Sequence, residues 1–167
     1  MADQPDTNRL LDTMADALRA MDLEALDPVV IGIHTGGAWV ADALASRLAL
    51  DAPSGTIDIS FYRDDFSRIG LHPQIRPSHL PVPVDNRVVL LVDDVLHTGR
   101  TIRAAMNEIF DYGRPERIIL AVLASRPGRE LPIAPDVVGL AFDALPPGGH
   151  LRLTGPDPLT LGIEVTA

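Results

Sequence analysis

The stretch that most constrains this chain is Val88 to Ala105, VVLLVDDVLHTGRTIRAA. Val88–Val92 is a continuous apolar run, the pattern of a strand buried on both faces. Two adjacent aspartates follow, then Val95 and Leu96, then HTGRT. A helical pattern from Thr98 to Tyr112 comes next, ended by Gly113 and Pro115. RIILAVLA, from Arg117, reads as a second buried strand. Strand, helix and strand of this kind predict an α/β fold, a mainly parallel central sheet flanked by helices. Side-by-side carboxylates at the end of a buried strand repel each other and resist desolvation. Such a pair is expected to serve a ligand.

The rest of the chain fits the same plan. Leu10, Leu11, Met14, Leu18 and Met21 give Thr7–Met21 helical spacing. PVVIGI (28–33) reads as a strand, HTGG (34–37) as a turn, and AWVADALASRLAL as a helix. TIDISFY alternates at Ile57, Ile59 and Phe61, the strand period. Residues 62–87, with Gly70 and four prolines, are expected to form one long loop. Loops of that length inside a compact domain are usually functional. The proline-rich last forty residues end in LTLGIEV and predict a small β-rich hood from about residue 125. All 167 residues are expected to form a single domain.

Composition removes several chemistries. There is no cysteine, which excludes disulfides and thiolate metal sites. All 14 basic residues are arginine, so Schiff-base lysines and the lysine of a Walker A loop are excluded too. Phosphate must be handled by arginine, backbone amides, hydroxyls or a metal. The formal charge of −9 is uneven: residues 1–62 carry 10 acids against 3 arginines, whereas 63–129 carry 8 against 10. Acidic charge discourages general binding to polyanions but leaves room for a local basic patch. No apolar run approaches the roughly 20 residues of a membrane span. A cytoplasmic protein with no membrane partner is expected.

Ligands of α/β sheets gather beyond the carboxyl ends of the strands, at helix N-termini. Asp93 and Asp94 stand at such an end, with HTGRT wrapping the start of the next helix. There free N–H groups favour an anion, and Gly99 permits close backbone approach. Thr98 and Thr101 add hydroxyls, and Arg100 adds charge. Carboxylates suit sugar hydroxyls and Mg²⁺ rather than phosphate. One ligand with a phosphate next to a ribose diol satisfies both halves.

VLLVDDVLHTGRT (89–101) resembles the phosphoribosyl-pyrophosphate motif of the type I phosphoribosyltransferases. Together with GTIDISFYRDDFS, DYGRPERI, LAV and RELPI, in the same order and spacing, it resembles the pyrimidine operon regulator family, PyrR. The likeness spans about Val29 to Gly139. It implies the type I phosphoribosyltransferase fold with a hood, and uracil phosphoribosyltransferase activity: uracil and phosphoribosyl pyrophosphate giving UMP and pyrophosphate with Mg²⁺. It also implies control of pyrimidine genes by UMP- or UTP-dependent binding to leader RNA, and a homodimer or homotetramer.

By this resemblance Asp93 and Asp94 hold the ribose hydroxyls. Val95, Leu96, His97, Thr98, Gly99, Arg100 and Thr101 form the ribose 5-phosphate loop. Thr35, Gly36 and Gly37 form the pyrophosphate loop, Arg126 and Arg129 are further pyrophosphate contacts, and Arg63 neutralises the leaving group. His97 stands where the family usually has tyrosine and purine-salvage relatives usually have an acid. It is expected to line the base pocket. His34 replaces a lysine, and ASRPGRELP departs from the commoner VDRGGRELP at Ser125 and Pro127. His72, His79 and His150 have no metal-ligand spacing and are expected to be solvated loop residues. Trp39 is expected to pack in the core.

Overall fold

A computed structural model describes residues 4–59 and 78–166. Five strands form one parallel sheet in the order β2-β1-β3-β4-β5. They are β1 (Val29–Ile33), β2 (Gly55–Ile57), β3 (Val88–Leu96), β4 (Arg117–Ser125) and β5 (Val137–Ala141). β6 (Gly149–Thr154) and β7 (Thr160–Val165) form a separate antiparallel pair. The helices are α1 (Thr7–Ala20), α2 (Gly36–Arg47) and α3 (Arg100–Tyr112).

Side chains alternate across a strand, and the core divides accordingly. Val88, Leu90 and Val92 of β3 face one apolar cluster with Leu11, Met14 and Leu18 of α1 and Val40 and Leu44 of α2. Val89 and Leu91 face the other cluster, with Ile102, Ala105 and Ile109 of α3. Burying a single leucine of this kind contributes about 1.5–3 kcal/mol. A sheet covered on both faces in this way needs the continuous apolar strands that the sequence contains.

α1 begins where the Asp6 carboxylate accepts the Arg9 N–H at 3.2 Å. Its Leu11, Met14 and Leu18 form the buried stripe. Arg47 latches α2 to it, donating to Asp12 at 2.7 Å and to Asn8 at 3.1 Å.

Two expectations are adjusted. β3 does not stop at Val92; it pairs with β4 as far as Leu96 opposite Ser125, so both aspartates lie inside a strand. Their backbone can join the ladder while the carboxylates act elsewhere. The other concerns the stretch from about residue 125, expected to hold the hood and C-terminal strands: β5 within it is the fifth strand of the main sheet, and β6 and β7 form a sheet of their own. Of the long loop expected at 62–87, residues 78–87 are described, and His79 bridges to Thr56 beside β2. Phe61 lies outside the described residues. Trp39 is half-buried against the first core cluster and lies close to Gly155 at the β6–β7 turn.

The β6–β7 pair is tied to α1 by one buried contact. Thr7 Oγ1 accepts the Leu161 N–H at 2.9 Å, and Thr7 is 5% exposed. Thr7→Val keeps the shape but leaves that N–H unpaired. It is expected to cost about 1–3 kcal/mol, read as a lower denaturation midpoint; an unchanged midpoint contradicts the tie.

Candidate active site

The strand order places the site. From β1 the chain passes to β2 on one side of it, and β3 lies on the other. α2 follows β1 on one face, and α3 follows β3 on the opposite face. The loops leaving β1 and β3 therefore separate at adjacent carboxyl ends and open a crevice between them, the usual ligand position in such sheets.

Into this crevice the structure brings two of the predicted segments, 35–37 and 93–94. Thr35 is the N-cap of α2, and Gly36 and Gly37 are its first residues; the His34–Thr35 peptide is cis. A Cβ on Gly36 would lie 2.2 Å from Asp94 Oδ2, and one on Gly37 2.9 Å from Asp93 Cα and 3.1 Å from Asp93 Oδ1. The helix N-terminus thus rests directly on the carboxylate pair. Its partial positive charge offsets the repulsion between the two acids. Each carboxylate is also oriented locally: Asp93 Oδ1 accepts the Asp94 N–H at 2.9 Å, and Asp94 Oδ1 accepts the Val95 N–H at 2.8 Å. Asp93 is buried, 4% exposed, and Asp94 is half-buried.

Val95 and Leu96 complete β3, His97 to Gly99 form the loop, and Arg100 and Thr101 open α3. Gly99 has φ +94°, a left-handed conformation that favours glycine. Thr98 Oγ1 accepts the Arg100 N–H at 3.1 Å. Among the described residues, the N–H groups of His97, Thr98 and Gly99 find no protein acceptor. Unpaired amides at a helix start are an anion cradle. The Arg100 side chain engages elsewhere, with Nε 2.8 Å from Glu130 Oε2.

Arg126 follows β4 and lines a cleft of about 380 Å³ with Pro127, Asp143, Leu145 and His150. Its Nε is buried and has no hydrogen-bond partner among the described residues. Arg129 instead turns back on the loop after β3, donating to the His97 carbonyl and, at 3.1 Å, to Ser125 Oγ. Arg63 lies outside the described residues, as does His72. His79 and His150 are exposed, and His150, in β6, also lines the cleft. Sequence reasoning missed Asp143 and Glu130, and noted Ser125 only as a departure from the family pattern. Glu130 carried a signal, an acid beside the arginine of the RELP segment.

His97 is exposed, yet partial desolvation holds its pKa below the ordinary histidine value, with the Arg126 guanidinium as the next cause. Arg129 and His150 act in the same direction, and Glu130 opposes them. The folded protein therefore binds this proton less readily than the unfolded chain does. The stability it contributes is present above the unfolded pKa and is lost as pH falls through the folded one. A proton NMR titration should place the His97 midpoint below about 6.5; a midpoint above that contradicts the described surroundings.

Among the described residues no group of three or more histidine or acidic side chains is arranged to hold a metal. Two adjacent carboxylates are nevertheless the donor set that suits Mg²⁺, which keeps water and binds substrate phosphates alongside one or two acids.

A crevice that joins an anion cradle to paired acids defines a class, and the comparisons name it. The phosphoribosyl transferase domain model matches residues 4–144. Solved structures agree on the fold. A purine phosphoribosyltransferase from Pyrococcus horikoshii superposes with a TM-score of 0.57 at 26% identity, over 81% of this chain and 82% of that one. A hypoxanthine phosphoribosyltransferase from Staphylococcus aureus gives 0.64 at 20% identity, over 86% and 79%.

Curated relatives narrow the class. Bifunctional protein PyrR of Nitrosococcus oceani is 55% identical over 148 residues, covering 87% of this chain and 83% of its own. That of Pseudomonas paraeruginosa is 54% identical over 163 residues, covering 96% and 95%. The chain belongs to the PyrR family of phosphoribosyltransferases.

Proposed function

We propose that the protein is a pentosyltransferase that moves the phosphoribosyl group of phosphoribosyl pyrophosphate to uracil, forming UMP and releasing pyrophosphate. The observation that carries this reading is the adjacency of Asp93 and Asp94 to the open amides of His97, Thr98 and Gly99. One ribose 5-phosphate spans the two. Membership of the PyrR family supports uracil as the base.

Asp93 and Asp94 accept hydrogen bonds from the ribose hydroxyls. The 97–101 loop holds the 5′-phosphate through its amides and the Thr98 and Thr101 hydroxyls. The N-terminal amides of α2, at Thr35 to Gly37, face the leaving pyrophosphate, and the unpaired Arg126 Nε is a donor for it or for the base. Arg63 is assigned to the pyrophosphate from the family motif alone. As the anomeric C–O bond breaks, positive charge builds on the ribose and negative charge on pyrophosphate. Carboxylates at the sugar and donors at the leaving group therefore bind the transition state more tightly than the ground state. Mg²⁺, when bound, neutralises pyrophosphate charge; substrate oxygens would supply most of its ligands, with Asp93 and Asp94 on the ribose side.

Asp94→Asn is expected to leave the fold intact and to lower turnover at least tenfold, since it removes charge where the ribose becomes cationic. Phosphoribosyl transfer measured with uracil, hypoxanthine, guanine and orotate side by side tests both parts of the reading. Uracil should be preferred, and the variant should lose that activity. Unchanged turnover removes the ribose assignment, and preference for a purine removes the base assignment.

A second activity, binding to pyrimidine-operon leader RNA under UMP or UTP control, is supported by the relatives' name, bifunctional protein. Arg103, Arg114 and Arg117 are exposed in the less acidic middle of the chain and offer it a surface. Titration with leader RNA, with and without UMP, separates this reading from catalysis alone.

A further inference from the structure

The segment after β4 does something that its arginines alone do not suggest. Three successive carbonyls leaving β3 are taken by it. The Leu96 carbonyl accepts the Arg126 N–H at 3.0 Å, and the His97 carbonyl accepts the Arg129 guanidinium. The Thr98 carbonyl accepts the N–H groups of Glu130 and Leu131, at 2.9 and 3.1 Å. In a planar trans peptide the C=O of one residue and the N–H of the next point in opposite directions. Holding these three carbonyls toward residues 126–131 therefore turns the N–H groups of His97, Thr98 and Gly99 the other way. Those three amides have no protein acceptor among the described residues.

The contacts around this clamp hold it in one arrangement. Arg129 is steadied by Ser125 Oγ at 3.1 Å, and Glu130 returns the tie through Arg100 Nε at 2.8 Å. Gly128, with φ +112°, brings the backbone under the His97 ring, where a Cβ would lie 2.7 Å from Nε2. Two of the three carbonyls are held by backbone donors. The middle one depends on a side chain, Arg129, and that carbonyl sets the direction of the Thr98 N–H.

We propose that Arg129 is a positioning residue for the 5′-phosphate rather than a pyrophosphate contact: it holds the His97 carbonyl so that the Thr98 amide is aimed at the phosphate before substrate arrives. The inference rests on the phosphoribosyl reading of the site. It assigns a role to the RELP arginine that charge alone does not provide, since a cation near a phosphate site is ordinarily read as touching the anion. Preorganised donors matter because they need not be reoriented when the anion binds.

The test compares the full-length wild type with Arg129→Ala and Arg129→Lys. Affinity is measured for UMP and for uridine, which lacks only the phosphate, together with the KM values for uracil, phosphoribosyl pyrophosphate and, in the reverse direction, pyrophosphate. Arg129→Ala should weaken UMP at least tenfold and raise the KM for phosphoribosyl pyrophosphate similarly. Uridine affinity and the KM values for uracil and pyrophosphate should change less than twofold. Arg129→Lys, which keeps one donor, should recover part of the UMP affinity. A general loss of structure would move uridine and uracil as well. If Arg129→Ala does not fold, Ser125→Ala removes only the arginine's second tether and should weaken UMP two- to threefold with uridine unchanged. Unaltered UMP affinity in the folded variant, or a loss confined to pyrophosphate, overturns the proposal. A wild type that binds UMP no more tightly than uridine overturns the site reading beneath it as well.

Discussion

The contact between the start of α2 and the carboxylates of β3 is the constraint on which the rest of this structure depends. Asp93 and Asp94 stand side by side at the end of a central strand, where solvent is sparse and their charges oppose. The N-terminus of α2 lies against them, closely enough that a side chain on Gly36 would collide with Asp94 and one on Gly37 with Asp93 and the Val92 carbonyl. Two glycines there are thus a steric consequence of the two aspartates on β3. In return the helix supplies partial positive charge to a pair that would otherwise be unfavourable. HTGG and VDD are one feature, formed where adjacent strands send their helices to opposite faces.

From that contact the remaining arrangement follows. α2 can reach the aspartates because β1 and β3 are neighbours in register, with Gly32 opposite Val92. Gly32 itself admits the helix, since a Cβ there would lie 2.6 Å from Ala38 Cα. On the opposite face α3 starts at Gly99 and draws the HTGRT loop over the same strand end. The segment after β4 then closes behind that loop. Asp143 and His150, ahead of and at the start of β6, bring the C-terminal part of the chain to the cleft that Arg126 lines.

How much of this could be read from sequence depends on the range of the interaction. Strong periodicity announced α1, and uniform apolarity announced β1, β3 and β4, because burial on both faces leaves an unmistakable composition. The 97–101 loop was legible as a candidate site for a similar reason: strand, acids, glycine and helix start are contiguous. The end of β3 was not, since polar residues conceal a strand whose pairing continues on β4. Nor was the place of β5, which joins the main sheet by pairing with β4. Arg129 and Arg100 illustrate the hardest case. Arg100 was read as part of the 5-phosphate loop and Arg129 as a pyrophosphate contact; folding brings Glu130 to the first and the carbonyl of His97 to the second, partners that sequence spacing does not announce. His150 was read as a solvated loop residue without metal-ligand spacing; it is exposed, but stands in β6 and lines the cleft.

The central claim is that one ribose 5-phosphate joins the aspartate pair to the 97–101 cradle. A crystal structure of the protein with UMP tests it most directly. The account predicts the phosphate within hydrogen-bond distance of the amides of residues 97–101, and the ribose hydroxyls on Asp93 and Asp94. A phosphate lodged at the start of α2, or a ribose without contact to either aspartate, would contradict it.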